Sequence, residues 1–176
     1  MNTENPAFEK AASQIAELSN LQDLFESCAQ LMAEALVNGK NIFSIGLGAA
    51  TSSATQFSDL LLNSADDTRP PLPAIFLRDD QTAQQQFLAS ASEGDFAILF
   101  NGPDENKRLD GWLDSCLNHS VTSVLINPDL NQFEPTDKAL EIRLEYSSFT
   151  DYLFYQSAIS NYLTKSIEKQ LFGRQT

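Results

Sequence analysis

The sequence predicts an α/β protein, a three-layer α/β/α sandwich whose central sheet holds five parallel strands. Short apolar runs bounded by turn residues alternate with longer segments of helical periodicity, which is typical of a parallel sheet whose strands are joined by helices. The apolar runs are nearly continuous, as expected of strands that helices cover on both faces. With 176 residues, 42% of them hydrophobic, the chain suits one globular domain.

Two helices are predicted ahead of the first strand. Asn5 can cap a helix that begins at Pro6 and runs to about Leu18. A second helix follows, and Asn38-Gly39 supplies its stop. Its apolar positions recur at helical spacing, at Leu21, Leu24, Phe25, Cys28, Leu31, Met32 and Leu36. We therefore predict one domain over residues 1–176, with a helical pair at 1–39 and the α/β core with a C-terminal helix at 40–176.

The core is predicted to alternate strands with helices. The strands are expected at Ile42–Ile45, Ala74–Leu77, Phe96–Phe100, Val121–Ile126 and Leu140–Leu144, and the helices from about Ala50, from Thr82 and from Asp104. Three prolines within residues 66–73 make that segment an extended connection. A long last helix should run from about Phe149 to Leu171, with Gly173 closing it in a left-handed conformation.

Charge and composition exclude several classes of function. The chain has 24 acidic and 11 basic residues, and its net charge of −13 argues against direct contact with nucleic acid or anionic lipid. No apolar run approaches the roughly 20 residues that span a bilayer, and residues 1–5 do not resemble a signal peptide. The two cysteines, Cys28 and Cys116, do not form a disulfide framework. We expect a cytoplasmic protein.

The first predicted strand and the helix after it have the outline of a phosphate cradle. Gly46 and Gly48 allow a turn in which backbone N–H groups at a helix N-terminus point at an anion. The first helical turn adds three hydroxyls that could donate, those of Thr51, Ser52 and Ser53. Alternatively, the glycines only permit a tight turn between strand and helix.

Five parts of the sequence together carry a resemblance to a known family. They are Ile45-Gly46-Leu47-Gly48, residues 68–77 (TRPPLPAIFL), residues 93–99 (EGDFAIL), residues 141–144 (EIRL) and the terminal helix. The chain resembles the sugar isomerase (SIS) family, in the branch of the phosphoheptose isomerases and the bacterial proteins that associate with the replication initiator DnaA. The Arg-Pro-x-Leu-Pro-Ala-Ile segment and the closing Leu171-Phe172 favour the initiator-associating proteins. The resemblance implies the SIS fold and a homotetramer.

The resemblance also shows where phosphate-binding chemistry differs. The isomerases have Gly-Asn-Gly-Gly-Ser at the first turn, and the place of that phosphate-binding serine is Ala50 here. Their second phosphate loop is Ser-Thr-Ser-Gly-Asn-Ser, whereas this chain has residues 101–106 (NGPDEN). Asp104 and Glu105 would repel a dianionic phosphate, and they are better explained as favourable charges in the first turn of a helix.

The acid–base positions of the isomerases are also substituted. Their helix after the first turn carries a His and, four residues later, a Glu, and their terminal helix carries a Gln and a His. The corresponding residues of this chain are Gln56, Leu60, Leu153 and Gln156. None can remove a proton from the carbon beside a carbonyl, as isomerisation requires. Asp59 is the alternative base, but a shift of one residue rotates a side chain by about 100° around a helix.

We therefore predict no catalytic residue, metal or cofactor. His119 is the only histidine, and it lies before the fourth strand, where a surface or helix-end role is expected. One histidine and two separated cysteines have no zinc-site spacing. The vestigial ligand pocket would consist of the five residues Gly46, Gly48, Thr51, Ser52 and Ser53.

The terminal helix bears an aromatic stripe that is typical of a core or a subunit interface. Its members are Phe149, Tyr152, Phe154, Tyr155, Tyr162 and Phe172. The pair Leu171 and Phe172 is expected either to pack against its own or a neighbouring subunit, or, as the resemblance implies, to contact the initiator.

The resemblance implies a non-enzymatic homotetramer that binds DnaA and promotes its assembly at the chromosomal origin. A symmetric tetramer repeats one contact several times, so it can gather several initiators through contacts that are individually weak. Two alternatives stay open. One is an isomerase of sedoheptulose 7-phosphate in lipopolysaccharide heptose synthesis, and the other is a sensor that binds a sugar phosphate without turnover.

Overall fold

The computed structural model describes residues 6–63, 69–103, 106–128, 139–146 and 148–173. Within these ranges the helices are α1 (Pro6–Leu18), α2 (Gln22–Val37), α3 (Thr51–Leu62), α4 (Gln81–Ser90), α5 (Asn106–Asn118) and α6 (Phe149–Phe172). The strands are β1 (Ile42–Gly46), β2 (Ala74–Arg78), β3 (Phe96–Phe100), β4 (Thr122–Pro128) and β5 (Ala139–Leu144). No helix in the described part of the chain is long and apolar enough to cross a membrane.

All five strands form one parallel sheet in the order β2-β1-β3-β4-β5. The chain moves outward from β1 to β2 and then returns to place β3 on the other side of β1. This reversal opens a crevice at the carboxyl ends of β1 and β3, the usual ligand position in such sheets. Gly46 at the end of β1 is level with Phe100 at the end of β3.

Two apolar cores lie on opposite faces of the sheet, which confirms the predicted three-layer fold. Helices α2, α3 and α6 cover one face, and α4 and α5 cover the other. Within β1, Ile42 faces the first core, while Phe43 and Ile45 face the second. Both sides of the strand are therefore buried, and this burial explains the continuous apolar runs of the sequence.

The helix ends follow the predicted signals. Gly39 after α2 and Gly173 after α6 have φ values of +71° and +65°, the left-handed conformation that ends a helix. Ser148 caps α6 by accepting from the N–H of Asp151 at 3.2 Å. The predicted Asn5 cap and the predicted helix start at Asp104 lie outside the described residues, as do positions 66–68 of the extended connection. The division at residue 39/40 stays a prediction.

The aromatic stripe of α6 belongs mainly to the core of its own chain. A core role was one of its two predicted roles, and a subunit interface was the other. Tyr152 and Tyr155 are buried, while Phe149 and Tyr162 are half-buried against the same core. The ring of Tyr162 lies 5.5 Å from that of Phe25 on α2, measured between centroids. The stripe therefore fixes α2 on α6.

Both cysteine thiols should be unreactive in the folded protein. Cys28 and Cys116 are buried and free, and burial raises the pKa of each from 9.0 to about 12. Because the thiolate is the reacting species, Ellman's reagent at pH 8 should detect neither thiol until denaturant unfolds the chain. The neutral thiols also favour the fold below about pH 9, and this contribution should decline at higher pH as the unfolded chain ionises. Rapid release of one equivalent from native protein would contradict the burial of one cysteine.

Candidate functional site

The candidate site lies at the carboxyl ends of β1 and β3, and we call it the carboxyl-edge site. It consists of the turn from Gly46 to Ser53, the residues Asn101 and Gly102 after β3, and the side chains of Tyr152 and Gln156 on α6. The parallel sheet brings the two turns together, and α6 packs against α3 beside them.

Each glycine of the first turn has a structural reason. A Cβ on Gly46 would lie 2.5 Å from the Cα of Thr51 and 2.9 Å from the Cβ of Ala54. Only glycine therefore lets β1 end so close to α3. Gly48 has φ +55°, a conformation that favours glycine, and the N–H of Ala50 donates to the oxygen of Leu47 at 3.1 Å. The tight turn alone thus accounts for both glycines.

The three predicted donor hydroxyls are not brought together. Thr51 Oγ1 donates to the backbone oxygen of Gly48 at 2.7 Å. Ser53 is buried, and its Oγ donates to Oε1 of Gln156 at 2.7 Å. Ser52 is exposed and lines a shallow cleft on the outer side of α3. Two of the three hydroxyls are thus engaged in hydrogen bonds within the protein.

The two turns contact each other where the resemblance places the anion. A Cβ on Gly102 would lie 2.8 Å from the oxygen of Leu47 and 3.5 Å from the nitrogen of Ala49. The N–H of Leu47 also donates to the oxygen of Phe100 at 2.9 Å. The backbones of the two turns therefore approach each other closely at the carboxyl ends of β1 and β3. Asp104 and Glu105 of the second loop lie outside the described residues.

A buried polar network joins α6 to the ends of β3 and β4. Gln156 is fully buried, and its Nε2 donates to the backbone oxygen of Asn101 at 3.3 Å. The hydroxyl of Tyr152 donates to the same oxygen at 2.7 Å and lies 3.0 Å from the oxygen of Ile126. Oδ1 of Asn101 is buried without a hydrogen-bond partner among the described residues.

The network continues across the sheet towards its edge. Nδ2 of Asn101 donates to Oδ1 of Asn127 at 2.8 Å, and Nδ2 of Asn127 donates to Oε1 of Glu141 at 2.7 Å. The other oxygen of Glu141 accepts from Arg143 at 2.7 Å. The carboxylate in this network is therefore held by an ion pair and an amide.

The site offers hydrogen bonds rather than proton transfer. Burial is the largest cause that raises the pKa of Tyr152 above its usual range, so its hydroxyl stays protonated at neutral pH. The side chains of asparagine, glutamine and serine do not ionise at that pH. Among the described residues, no group of three or more histidine, cysteine or acidic side chains could hold a metal ion. A general base is thus missing from the described part of the carboxyl-edge site.

The positions that correspond to the isomerase His and Glu lie on the outer side of α3. Gln56 Nε2 donates to Oγ of Ser157 on α6 at 2.9 Å, and Leu60 is half-buried. Asp59, the alternative base, is exposed and shares the shallow outer cleft with them. Leu153 on α6 is half-buried. None of these four side chains belongs to the buried network; of the substituted acid–base positions, only Gln156 does.

The remaining candidate residues lie elsewhere in the fold. Nδ1 of His119 is 3.0 Å from the oxygen of Ser115 near the end of α5, and its ring lies against Phe87. This is the expected helix-end role. The neighbours Leu171 and Phe172 have different environments. Leu171 packs against the core of α2, α3 and α6, while the side chain of Phe172 is exposed.

The network members that were not predicted as site residues include Tyr152, Asn101 and Asn127. The sequence holds a signal for the two asparagines. Each follows the apolar run of a predicted strand directly, and the carboxyl ends of neighbouring parallel strands meet at one edge of the sheet. Tyr152 was predicted only as a member of the aromatic stripe, since the sequence does not show which backbone oxygens its hydroxyl meets.

Comparison with known proteins identifies a consistent set of relatives. No family model matches the chain. It is 26% identical to the phosphoheptose isomerase of Pseudoalteromonas atlantica and 26% identical to that of Shewanella denitrificans, and each match covers 67% of both proteins. Its fold is similar to that of a phosphoheptose isomerase from Francisella tularensis, with a TM-score of 0.79, 19% identity and coverage of 94% of this chain and 96% of the other. The phosphoheptose isomerase GmhA of Neisseria gonorrhoeae gives a TM-score of 0.74 at 13% identity, with 93% and 96% coverage.

Proposed function

From the premise that this chain belongs to the SIS family, in its phosphoheptose isomerase-like branch, we propose that it has no isomerase activity and acts by binding. In this proposal the chain is a cytoplasmic homotetramer that binds the initiator DnaA and promotes the initiation of chromosomal replication. Aldose–ketose isomerisation needs a group that removes and returns a proton. The observation that carries the proposal is the neutral amide network of the carboxyl-edge site, in which the carboxylate of Glu141 is paired with Arg143.

The support for the initiator as the partner comes from the sequence. The segment at residues 69–75 (RPPLPAI) and the pair Leu171-Phe172 resemble the initiator-associating proteins more than the isomerases. A tetramer would present each contact four times, and linked contacts raise the overall affinity without a new interaction. Loss of catalytic chemistry leaves the packing of the fold intact, so a binding role is compatible with the substitutions.

The purified protein should not isomerise sedoheptulose 7-phosphate. General acid–base catalysis contributes about 10²–10⁴-fold to the rate, so turnover should fall at least about 10²-fold below that of the Francisella tularensis enzyme assayed beside it. The assay measures loss of the substrate and formation of the aldose product. Turnover that disappears in Asp59→Asn would contradict the proposal, because it would make the exposed Asp59 the base.

The competing function is phosphoheptose isomerisation, which the names of the relatives favour. A third function is a sensor that binds a sugar phosphate, for which the unpartnered Oδ1 of Asn101 would accept from a sugar hydroxyl and not from the phosphate. Titration with sedoheptulose 7-phosphate separates these possibilities when it is followed by both calorimetry and turnover. Heat of binding without turnover indicates a sensor, and the absence of both supports the proposed function.

Replacing Phe172 with alanine should weaken capture of the initiator at least about tenfold. Phe172 is 38% exposed, and a few apolar anchors usually dominate an interface. The measurement is a pull-down of DnaA from the same organism by the full chain, followed by titration. The matched variant is Leu171→Ala, which removes a side chain packed on the core and should lower the thermal stability first.

Sedimentation separates this role of Phe172 from an assembly role. Phe172→Ala should leave the proposed tetramer intact. If that variant dissociates while wild-type protein does not, Phe172 is a contact between copies and the initiator surface must lie elsewhere. A monomeric wild type would remove the basis for the multivalent mechanism.

A further inference from the structure

A separate apolar groove lies between α1, α2 and α6, and shares no residue with the carboxyl-edge site. Its volume is about 210 Å³, and its apolar lining consists of Ile15, Leu18, Phe25, Ala158, Ile159 and Tyr162. Leu18, Phe25 and Ile159 are buried and form the floor. Ile15 is 53% exposed at the rim. The groove is therefore a preformed apolar hole that is open to solvent on one side.

Two carboxylates, Glu17 on α1 and Glu26 on α2, accept hydrogen bonds from α6 next to this groove. The hydroxyl of Tyr155 donates to Oε2 of Glu17 at 2.9 Å, and the hydroxyl of Tyr162 donates to Oε1 of Glu26 at 2.7 Å. In each of these hydrogen bonds a phenol donates to a carboxylate oxygen. Each glutamate is thus fixed in position while it remains able to attract a cation.

Acidic residues outnumber basic ones on the helices that form the groove, although Lys165 follows the lining residue Tyr162 by three residues. Between Lys10 and Lys40 the charged residues are Glu17, Asp23, Glu26 and Glu34, all acidic. On α6, no lysine or arginine precedes Lys165. Acidic residues therefore predominate beside the groove in sequence, as they do in the whole chain with its net charge of −13.

We propose that this groove binds a basic amphipathic helix of a partner protein, with one large apolar side chain in the hole and a cation near each glutamate. Helix-in-groove recognition uses apolar anchors on one face of the bound helix. Tyr155 and Tyr162 are seven residues apart on α6, a distance of about 10 Å along a helix. Two basic residues seven apart on the partner helix match that spacing.

The negative walls decide the kind of partner. A second copy that met this groove with the same surface would bring Glu17, Asp23 and Glu26 against their own counterparts, and like charges at an interface are unfavourable. A basic helix gains from the same charges. This inference goes beyond the proposed function, since it concerns a surface distinct from Phe172 and applies whether or not the partner is the initiator.

A synthetic helix tests the proposal directly. The probe is a fluorescently labelled peptide of leucine and lysine, with its leucines on one face and two lysines seven residues apart, titrated with the full chain and followed by anisotropy. Ile15→Ser removes an apolar rim and keeps every charge, so it should weaken binding at least about tenfold. The matched control is Val37→Ser on α2, which is 74% exposed and does not line the groove, and it should not change binding.

A double variant tests how much the two glutamate charges contribute to binding of the peptide. Glu17→Gln combined with Glu26→Gln keeps acceptors for both tyrosines, and it should weaken binding and flatten the dependence on salt, since exposed charges are screened. Circular dichroism verifies that each variant is folded. Absence of peptide binding, or equal loss in Ile15→Ser and Val37→Ser, overturns the proposal. So does dissociation of an oligomer by Ile15→Ser in sedimentation, because the groove would then be a contact between copies.

Discussion

Replacing Gly46 with alanine is expected to destabilise the folded chain by about 3 kcal/mol, the upper end for an overpacked site. The added Cβ would lie 2.5 Å from the Cα of Thr51 and 2.9 Å from the Cβ of Ala54. The first of these is a backbone atom at the start of α3, so the clash cannot be relieved by a side-chain rotation. The end of β1 and the first turn of α3 must move apart. Urea unfolding measures the loss, and a thermal scan should show Tm lower by roughly 6–12 °C.

The matched control for Gly46→Ala is Gly111→Ala on α5. A Cβ on Gly111 would meet only Nε2 of Gln84, at 3.6 Å, which is an ordinary contact. Alanine is also the better helix former, so this variant should gain up to about 1 kcal/mol. If Gly46→Ala were as stable as wild type, the turn would have space beside it, and a bound anion at the carboxyl-edge site would become a stronger hypothesis.

The fold could be predicted because its determinants are local in sequence. A strand buried on both faces must be apolar at nearly every position, and β3 was predicted with both ends correct for this reason. Helix ends depend on one or two residues, as Gly39 and Gly173 show. The strand boundaries that differ do so at β1, β2, β4 and β5 by one or two residues, where the chain leaves the sheet gradually.

The substitutions at the site could be predicted as well, but not the contacts that replace the lost chemistry. Gln56 and Leu60 can be recognised as non-basic from the sequence alone. The hydrogen bond between Ser53 and Gln156 joins residues 103 apart, so it depends on how α6 lies across α3. The same is true of Leu171 and Phe172, which are neighbours in sequence and differ in burial because α6 directs them to different sides.

The sequence allows two interpretations of Gly46 and Gly48, an anion-binding turn or only a tight turn between strand and helix. The packing around them gives a physical reason for each glycine. Close approach to Thr51 explains Gly46, and a positive φ explains Gly48. Neither cause requires an anion. A glycine-rich turn therefore carries little functional information until the atoms around it are known.

Replacing Arg69 with alanine should cost about 3–5 kcal/mol, the range for removing one partner of a buried ion pair. The Arg69 side chain is 2% exposed and pairs with Glu168 on α6. It also donates to the backbone oxygens of Leu60 and Leu61, at 2.7 Å and 2.8 Å. These oxygens belong to the last turn of α3, where carbonyls lack partners within the helix and a cation is favourable. The variant leaves Glu168 half-buried without its cation and removes a donor from both oxygens, of which that of Leu61 keeps the N–H of Leu72 at 3.0 Å.

Two further variants separate the effect of the hydrogen bonds from Arg69 to α3 from the effect of its ion pair with Glu168. Glu168→Gln removes the carboxylate charge and keeps the hydrogen bonds of Arg69 to the end of α3, so it should cost less than Arg69→Ala. Arg108→Ala removes a guanidinium that is 59% exposed and pairs with Asp79, whose side chain is 10% exposed, and it should cost less than Arg69→Ala because the solvated cation contributes less. Denaturant unfolding of the three variants gives the comparison. If Arg69→Ala were as mild as Arg108→Ala, Arg69 would not fix the end of α3 to α6, and the arginine in the segment at residues 69–75 would need another explanation, of which contact with a partner is the first to test.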